Sequence, residues 1–286
     1  MNPMRLKEIG LSLLLILTIF SSSVFAQMER ERAETNEPEE MFWTPQLFAS
    51  ETVQQVPGRH MNVTIMHTFG ILTENTIDNF FGLDLTPNVR LGLDYGINEA
   101  WSIGIGRSSR EDVVDLRTKL SLLKQNESGD PPLSLSLKAD MGITTESNGY
   151  DFDERLSYLA GAMAAKKFSS AFTLQLSPLY AHFNRVFGDE ESDLFGVAVG
   201  GEYQLSRRFA LMFEYLPVLS DRAERMHNAF TAGVHIETGG HVFQLFFSSP
   251  EWHTEQYALA RNTDEFWAGD FRFGFNVNRI FSFGGD

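Results

Sequence analysis

A two-residue period recurs along most of the chain, and it limits the fold more than any other feature. In the stretch NVRLGLDYGINEAWSIGIGRSSR, Asn88 to Arg110, Val89, Leu91, Leu93 and Tyr95 alternate with Arg90, Gly92, Asp94 and Gly96. After the break INEA the pattern resumes, with Ile103 and Ile105 opposite Ser102, Gly104 and Gly106. Successive side chains of a β-strand point to opposite faces, so each segment makes a ribbon with one greasy side and one polar side. The same alternation marks 115–122, 133–142, 195–203, 209–215, 230–237 and 271–278, and less regularly 59–69, 154–167, 171–183 and 240–249. The total is about twelve segments of roughly 9–14 residues, the length of a tilted membrane strand.

Two all-β architectures satisfy such ribbons. A soluble antiparallel sandwich buries the greasy face and wets the polar one. A membrane barrel turns the greasy face to lipid and the polar face to its lumen. The connections favour the second. Long or charged ones (70–87, NGYDFDE, FGDEESD, SDRAERMHN, PEWHTEQYALARNTDE) alternate with short ones (INEA, FSSA, LSRR, TGG). Barrels of the outer membrane place long loops on one rim and tight turns on the other. SSRED is short where a long loop is due, and KQNESGDPP exceeds a minimal turn. Trp101 with Tyr95, and Tyr203 with Phe209, flank tight turns; Tyr215, Trp252 and Trp267 are expected toward the other rim, as aromatic girdles require.

The N-terminus supplies an address. Residues 1–26 read as a cleaved signal peptide: Arg5 and Lys7, the apolar run IGLSLLLILTIF, then SSSVFA. An uncleaved anchor helix is the alternative. Beyond this segment no apolar run approaches the roughly 20 residues of a spanning helix, so a membrane-spanning mature chain must be a closed barrel. Residues 27–58 are expected to be a charged periplasmic tail and an extended lead-in, and 59–286 the barrel. The sequence carries no cysteine and a net charge of −15; without Arg5, Lys7 and Glu8 the mature balance is 21 basic against 37 acidic residues, −16. That sign argues against nucleic acid as a partner.

Several stretches are also familiar. NFFGLD, NVRLGLDYGI, WSIGIGRSS, GGHVFQLFF and AGDFRFGFNVNRIF, in that order, resemble the domain-of-unknown-function-5777 family of bacterial outer-membrane β-barrels, from about residue 43 to the end. The resemblance implies a barrel and an outer-membrane address. It brings no substrate and no catalytic residues.

The polar faces predict which side chains line the lumen: Arg90, Asp94, Asp115, Arg117, Lys119, Lys138, Asp140, Glu202, Glu214, Glu237 and Arg272. Charged rings can set the selectivity of a pore. Equally, charges inside a narrow lumen must pair, and then they brace the wall. The inward glycines, Gly92, Gly104, Gly106, Gly196, Gly200, Gly233 and Gly274, leave a passage, make room for large neighbours or ease bending.

Other candidates are weaker. GIGRSS lacks the spacing and helix of a phosphate loop. His235 and His241 flank the TGG turn, but two imidazoles make a poor metal site. His182, Asn184 and Ser192 supply hydrolase ingredients without a G-x-S-x-G elbow. Asp151, Asp153, Glu154, Asp189, Glu190, Glu191 and Asp193 could gather Ca²⁺ or simply face water. Thr73 to Asp84 is expected as a short helix capped by Thr73, with Ile77, Phe80 and Phe81 on one face, lying over or in the barrel mouth.

The expectation is therefore an antiparallel up-and-down barrel in a bacterial outer membrane, termini periplasmic, bounded by lipid, with neither catalytic residues nor metal nor other cofactor. Its leading function is a passive channel for small polar or charged solutes. A non-conducting anchor for envelope proteins is the alternative, and a membrane hydrolase a more distant one.

Overall fold

The alternating segments form strands, and the strands close on themselves. A computed structural model describes residues 37–74, 77–85, 87–146 and 149–283. The expected signal peptide, residues 1–26, and residues 27–36 of the tail lie outside the described residues. Twelve antiparallel strands run in chain order: β1 (His60–Ile71), β2 (Asn88–Gly96), β3 (Trp101–Ser108), β4 (Val113–Leu123), β5 (Ser134–Thr144), β6 (Leu156–Lys167), β7 (Phe172–Phe183), β8 (Asp193–Gln204), β9 (Phe209–Leu216), β10 (Ala229–Glu237), β11 (Val242–Ser248) and β12 (Arg272–Ser282). Each pairs with its sequence neighbours, and β1 pairs with β12 through a register that sets Thr64 against Asn278. Every strand edge is thereby hydrogen-bonded, which is what crossing a bilayer with strands demands.

The two faces settle which way the ribbon is rolled. On β2 and β3, Leu91 is 58% exposed and Ile105 47%, whereas Arg90 is fully buried. Leu116, Leu137, Phe195, Phe209 and Phe247 are likewise exposed on the outer wall, while Asp115, Lys138 and Glu214 are buried inside. A soluble sandwich would reverse this order. No helix among the described residues is long and apolar enough to cross a membrane; the strands carry the apolar band instead.

Connections sort by rim as their lengths suggest. Residues 97–100, 168–171, 205–208 and 238–241 turn tightly on one rim, together with the longer 124–133; 184–192, 217–228, 249–271 and the described parts of the β1–β2 and β5–β6 connections lie on the other, with the short 109–112. Thr73 to Asp84 does not form the expected helix. Phe80, Phe81 and Gly82 take left-handed backbone angles (φ 46°, 57° and 78°), which break a right-handed helix, and the described part runs as successive turns with Ile77, Phe80 and Phe81 exposed.

The inside of the barrel holds the largest departure from expectation. Residues 41–56, expected as tail and lead-in, fold into the lumen from the short-turn rim. Phe42, Leu47 and Phe48 are fully buried, and Val53 and Val56 nearly so. Leu47 N–H donates to Ser50 O at 2.9 Å, and Thr52 N–H to Pro45 O at 2.9 Å, closing a tight hairpin. Pro57 and Gly58 then lead out to β1, where Arg59 N–H donates to Gly96 O at 2.7 Å. From the opposite rim the β11–β12 connection folds inward as a short helix, α1 (Glu255–Arg261), burying Tyr257, Ala258 and Leu259. Trp252, expected at the lipid boundary, is buried beside it, its ring stacked on Tyr257 at 4.8 Å between centroids. Both segments are apolar enough to leave water, and the lumen is where they can do so.

Candidate functional site: the charged lumen

The strand register places the inward charges in reach of one another, and glycine leaves the gaps that let them touch. Gly104 on β3 sits opposite Asp94 on β2 and Arg117 on β4. With no side chain between them, Asp94 Oδ1 and Arg117 Nη2 meet at 2.7 Å. Gly106 does the same one pair along: Arg90 lies over it, with Nε and Nη2 3.0 and 2.6 Å from the two oxygens of Asp115. A Cβ at either glycine would collide with Asp94 or with Arg90. Two-pronged guanidinium–carboxylate pairs are among the stronger ionic contacts, and this one is buried. The glycines therefore make room for large neighbours rather than an opening. Gly200 and Gly196 do so for the inserted segments, receiving Leu47 and Leu259.

The hairpin and α1 complete the network. Arg117 also reaches Glu51 Oε1 at 3.5 Å and Asp115 Oδ2 at 3.1 Å. Lys138 lies at the centre: Asp140 Oδ2 is at 2.9 Å, Glu51 Oε2 of the hairpin at 3.6 Å, and Glu255 Oε2 of α1 is in direct contact. Lys119 faces Lys138 across the β4–β5 pair. It turns away, donating to the carbonyls of Thr52 and Gln54 at 2.8 and 2.7 Å. Like charges on adjacent strands would repel, and the hairpin carbonyls take up the second ammonium. Burial opposes ionisation of Glu51, but Lys138, Lys119 and Arg117 outweigh it and hold its carboxyl below the usual range. Glu255 is shifted the other way: burial raises it more than Lys138 lowers it.

On the far wall Glu214 on β9 receives the hairpin tip. Its carboxylate accepts the backbone N–H groups of Phe48, Ala49 and Ser50 at 3.2, 3.3 and 2.8 Å. Gln175 accepts from Val53 N–H at 2.8 Å and donates to Glu51 O at 2.8 Å. Glu202 lies 2.8 Å from His235 Nδ1. Arg272 pairs with Asp264 at 2.7 Å. The two inserted segments touch each other as well: Gln46 Nε2 donates to His253 O at 3.1 Å, and Phe48 meets the His253 ring edge-on at 5.4 Å. Burial, then the nearby Arg90, holds that imidazole far below its ordinary pKa.

Ten of the eleven sequence-assigned lumen residues, Arg90, Asp94, Asp115, Arg117, Lys119, Lys138, Asp140, Glu202, Glu214 and Arg272, point into this interior. Glu237 shares the inward face but ends at the TGG turn, where its Oε1 accepts from Gly239 and Gly240 N–H. Sequence reasoning missed Glu51, Glu255, Gln46 and Gln175. The first three sit on segments without period; the density of Phe42, Trp43, Leu47 and Phe48 was the available signal that 41–56 seeks burial.

The weaker candidates are dispersed. His235 is committed to Glu202, whereas His241 lies beside Arg279, 3.1 Å from Nη1. His182 pairs with Asp193 at 2.8 Å. Glu154 and Glu190 are bound by Arg185 and Arg225 at 2.6 and 2.8 Å, and Arg225 also touches Asp189. Among the described residues no group of three or more His, Cys, Asp or Glu is placed to hold a metal.

A closed twelve-strand wall with a greasy exterior has a counterpart among known families. The family model described as a membrane bound beta barrel domain (DUF5777) matches residues 42–281. The chain belongs to this family. The matched region of this DUF5777 protein begins inside the hairpin, so the lumenal segment is part of the family domain and not an appendage to it. No curated protein matches the sequence. Solved structures similar to this DUF5777 barrel include the NanC porin (7% identity, 79% of this chain and 100% of that one, TM-score 0.48). An outer-membrane channel from Pseudomonas putida F1 has 15% identity, coverage of 79% and 96%, and a TM-score of 0.48. Omp33 of Acinetobacter baumannii has 7% identity, coverage of 79% and 100%, and a TM-score of 0.46.

Proposed function

We propose that this DUF5777 protein is a plug-gated channel of the bacterial outer membrane, shut at rest, which passes small polar solutes when its N-terminal hairpin leaves the lumen. In this reading it is exported by the signal peptide at 1–26, and its short turns and both termini lie in the periplasm. The long loops on the opposite rim and the even strand count support that orientation.

The observation that carries the proposal is how the hairpin is held. Residues 41–56 fill the lumen, yet all twelve wall strands pair without them. Leaving the lumen would break the contacts to Glu214, Gln175, Lys119 and Lys138 but no ladder hydrogen bond of the barrel. The vacated space would be lined by Arg117, Lys119, Lys138 and Glu214, a mixed-charge surface suited to polar solutes.

Planar-bilayer conductance tests this. The full chain is expected to show little steady conductance, and a variant lacking residues 41–56 to show stable open steps. Equal conductance of the two would refute the plug. A folded deletion variant that stays silent would favour a static barrel that anchors other envelope proteins.

A further inference from the structure

At the long-loop rim a second feature stands apart from the charged lumen. A cavity of about 160 Å³ opens between the β5–β6 connection, the β7–β8 connection and α1. Its floor is Tyr257 of α1 and Ser157 of β6, whose hydroxyls are 3.2 Å apart. Phe183, Phe187 and Tyr150 form its walls.

Three arginines line it, interleaved with the rings. Arg185 lies over Tyr150 at 3.7 Å and near Phe187 at 5.6 Å. Arg261 of α1 lies 5.2 Å from the centroid of Phe183, 5.3 Å from Tyr257 and 5.9 Å from Phe187. Two of these cations are neutralised: Arg261 by Glu111 at 2.7 Å and Arg185 by Glu154 at 2.6 Å. Arg155 is different. Its Nε and Nη2 donate to the carbonyl of Tyr150 at 2.9 and 2.7 Å, which fixes the guanidinium in place. Among the described residues no carboxylate lies within ion-pair distance of it. Glu146 stands exposed at the lip, solvated.

The lining sets three glutamates against three arginines, but the fixed guanidinium of Arg155 has none of those carboxylates on it, and set beside aromatic walls it recognises a carboxylate carried on an apolar body. The size narrows the choice: a cavity of about 150 Å³ accommodates a benzene ring. We propose that this cavity binds a small organic carboxylate of one ring or a few carbons, its acid group on Arg155 and its apolar body against Phe187, Phe183 and Tyr257. The site does not require the barrel to conduct. Because Tyr257 and Arg261 belong to α1, an occupant would contact the same helix that supplies Glu255 to Lys138.

The test is calorimetric titration of the full chain, folded in detergent micelles, with benzoate, with uncharged benzamide and with inorganic phosphate. Saturable benzoate binding is expected, with benzamide and phosphate each at least about tenfold weaker. Arg155→Gln should weaken benzoate about tenfold, while Lys124→Gln on the opposite rim should leave it unchanged. The site is overturned if benzoate does not bind saturably, if benzamide binds as well as benzoate, or if folded Arg155→Gln binds benzoate as tightly as the parent. The benzamide comparison uses the unmodified chain, so it decides the matter even if the variant fails to fold. Phosphate binding as tight as benzoate overturns the ring-shaped pocket in favour of a bare anion site.

Discussion

Replacing Lys138 by Met tests whether the interior is one electrostatic unit. The ammonium is shared by Asp140 on the wall, Glu51 on the hairpin and Glu255 on α1. Around it four cations (Arg90, Arg117, Lys119, Lys138) stand against five carboxylates (Glu51, Asp94, Asp115, Asp140, Glu255). Met has similar bulk but leaves three cations against five anions, with three buried carboxylates stripped of the ammonium they shared. Removing one partner of a buried pair costs about 3–5 kcal/mol. One lysine serving three carboxylates belongs at the upper end, so we expect about 4–5 kcal/mol. Urea unfolding of the barrel in lipid vesicles measures the total. Hydrogen exchange at 46–52 and 253–259 locates the loss, since both inserted segments should loosen while the wall strands keep their protection. In a Glu51→Gln, Glu255→Gln background the same change should cost less than half as much, because fewer charges are then stranded. A loss under about 1 kcal/mol, with both segments as protected as in the parent, would refute a shared network and reduce these contacts to incidental neighbours.

Acidity should act on the two segments in opposite directions. Glu51 is held below its ordinary value of 4.5, so its contribution is present above that value and fades as pH falls beneath it; the protection of 46–52 against hydrogen exchange, taken relative to the intrinsic rate at each pH, should fall toward pH 3 in the parent and less so in Glu51→Gln. Glu255 is held above 4.5, so it takes up a proton more readily folded than unfolded. Its burden on α1 is present at neutral pH and relieved as pH falls through its raised value; Glu255→Gln should flatten that trend at 255–259. On the outer wall, Leu91→Arg should cost about 2–4 kcal/mol in vesicle unfolding, as a charge turned into hydrocarbon does, and a cost near zero would deny that this face meets lipid.

The wall was legible because its signal is local. Alternation over a few residues tells which side of a strand Arg90 or Leu91 takes, whatever the rest of the chain does. Turn lengths likewise ordered the rims. The contents of the barrel were hidden for the opposite reason. Residues 41–56 and 252–259 have neither strand nor long-helix period, so nothing local distinguishes a loop in water from one tucked inside. Which face of a strand a charge takes is local, but its partners depend on register and on residues far along the chain. Asp94 finds Arg117 only because Gly104 lies between them, and Lys138 finds Glu255 only once α1 has folded in. Thr73 to Asp84 misled because a capping residue and a helical apolar spacing were present, while Gly82 and its two preceding phenylalanines turn the backbone left-handed.

The hairpin runs directly into β1, and β1 is half of the seam that joins the first strand to the last. That adjacency makes β1 a tether. Leaving the lumen would not free the hairpin to diffuse, because Pro57 and Gly58 tie it to a strand whose start is held by Arg59 N–H on Gly96 O at the short-turn rim. A displaced hairpin would stay beside the mouth it left, at an effective concentration set by its own length, and its return would need no search for a partner.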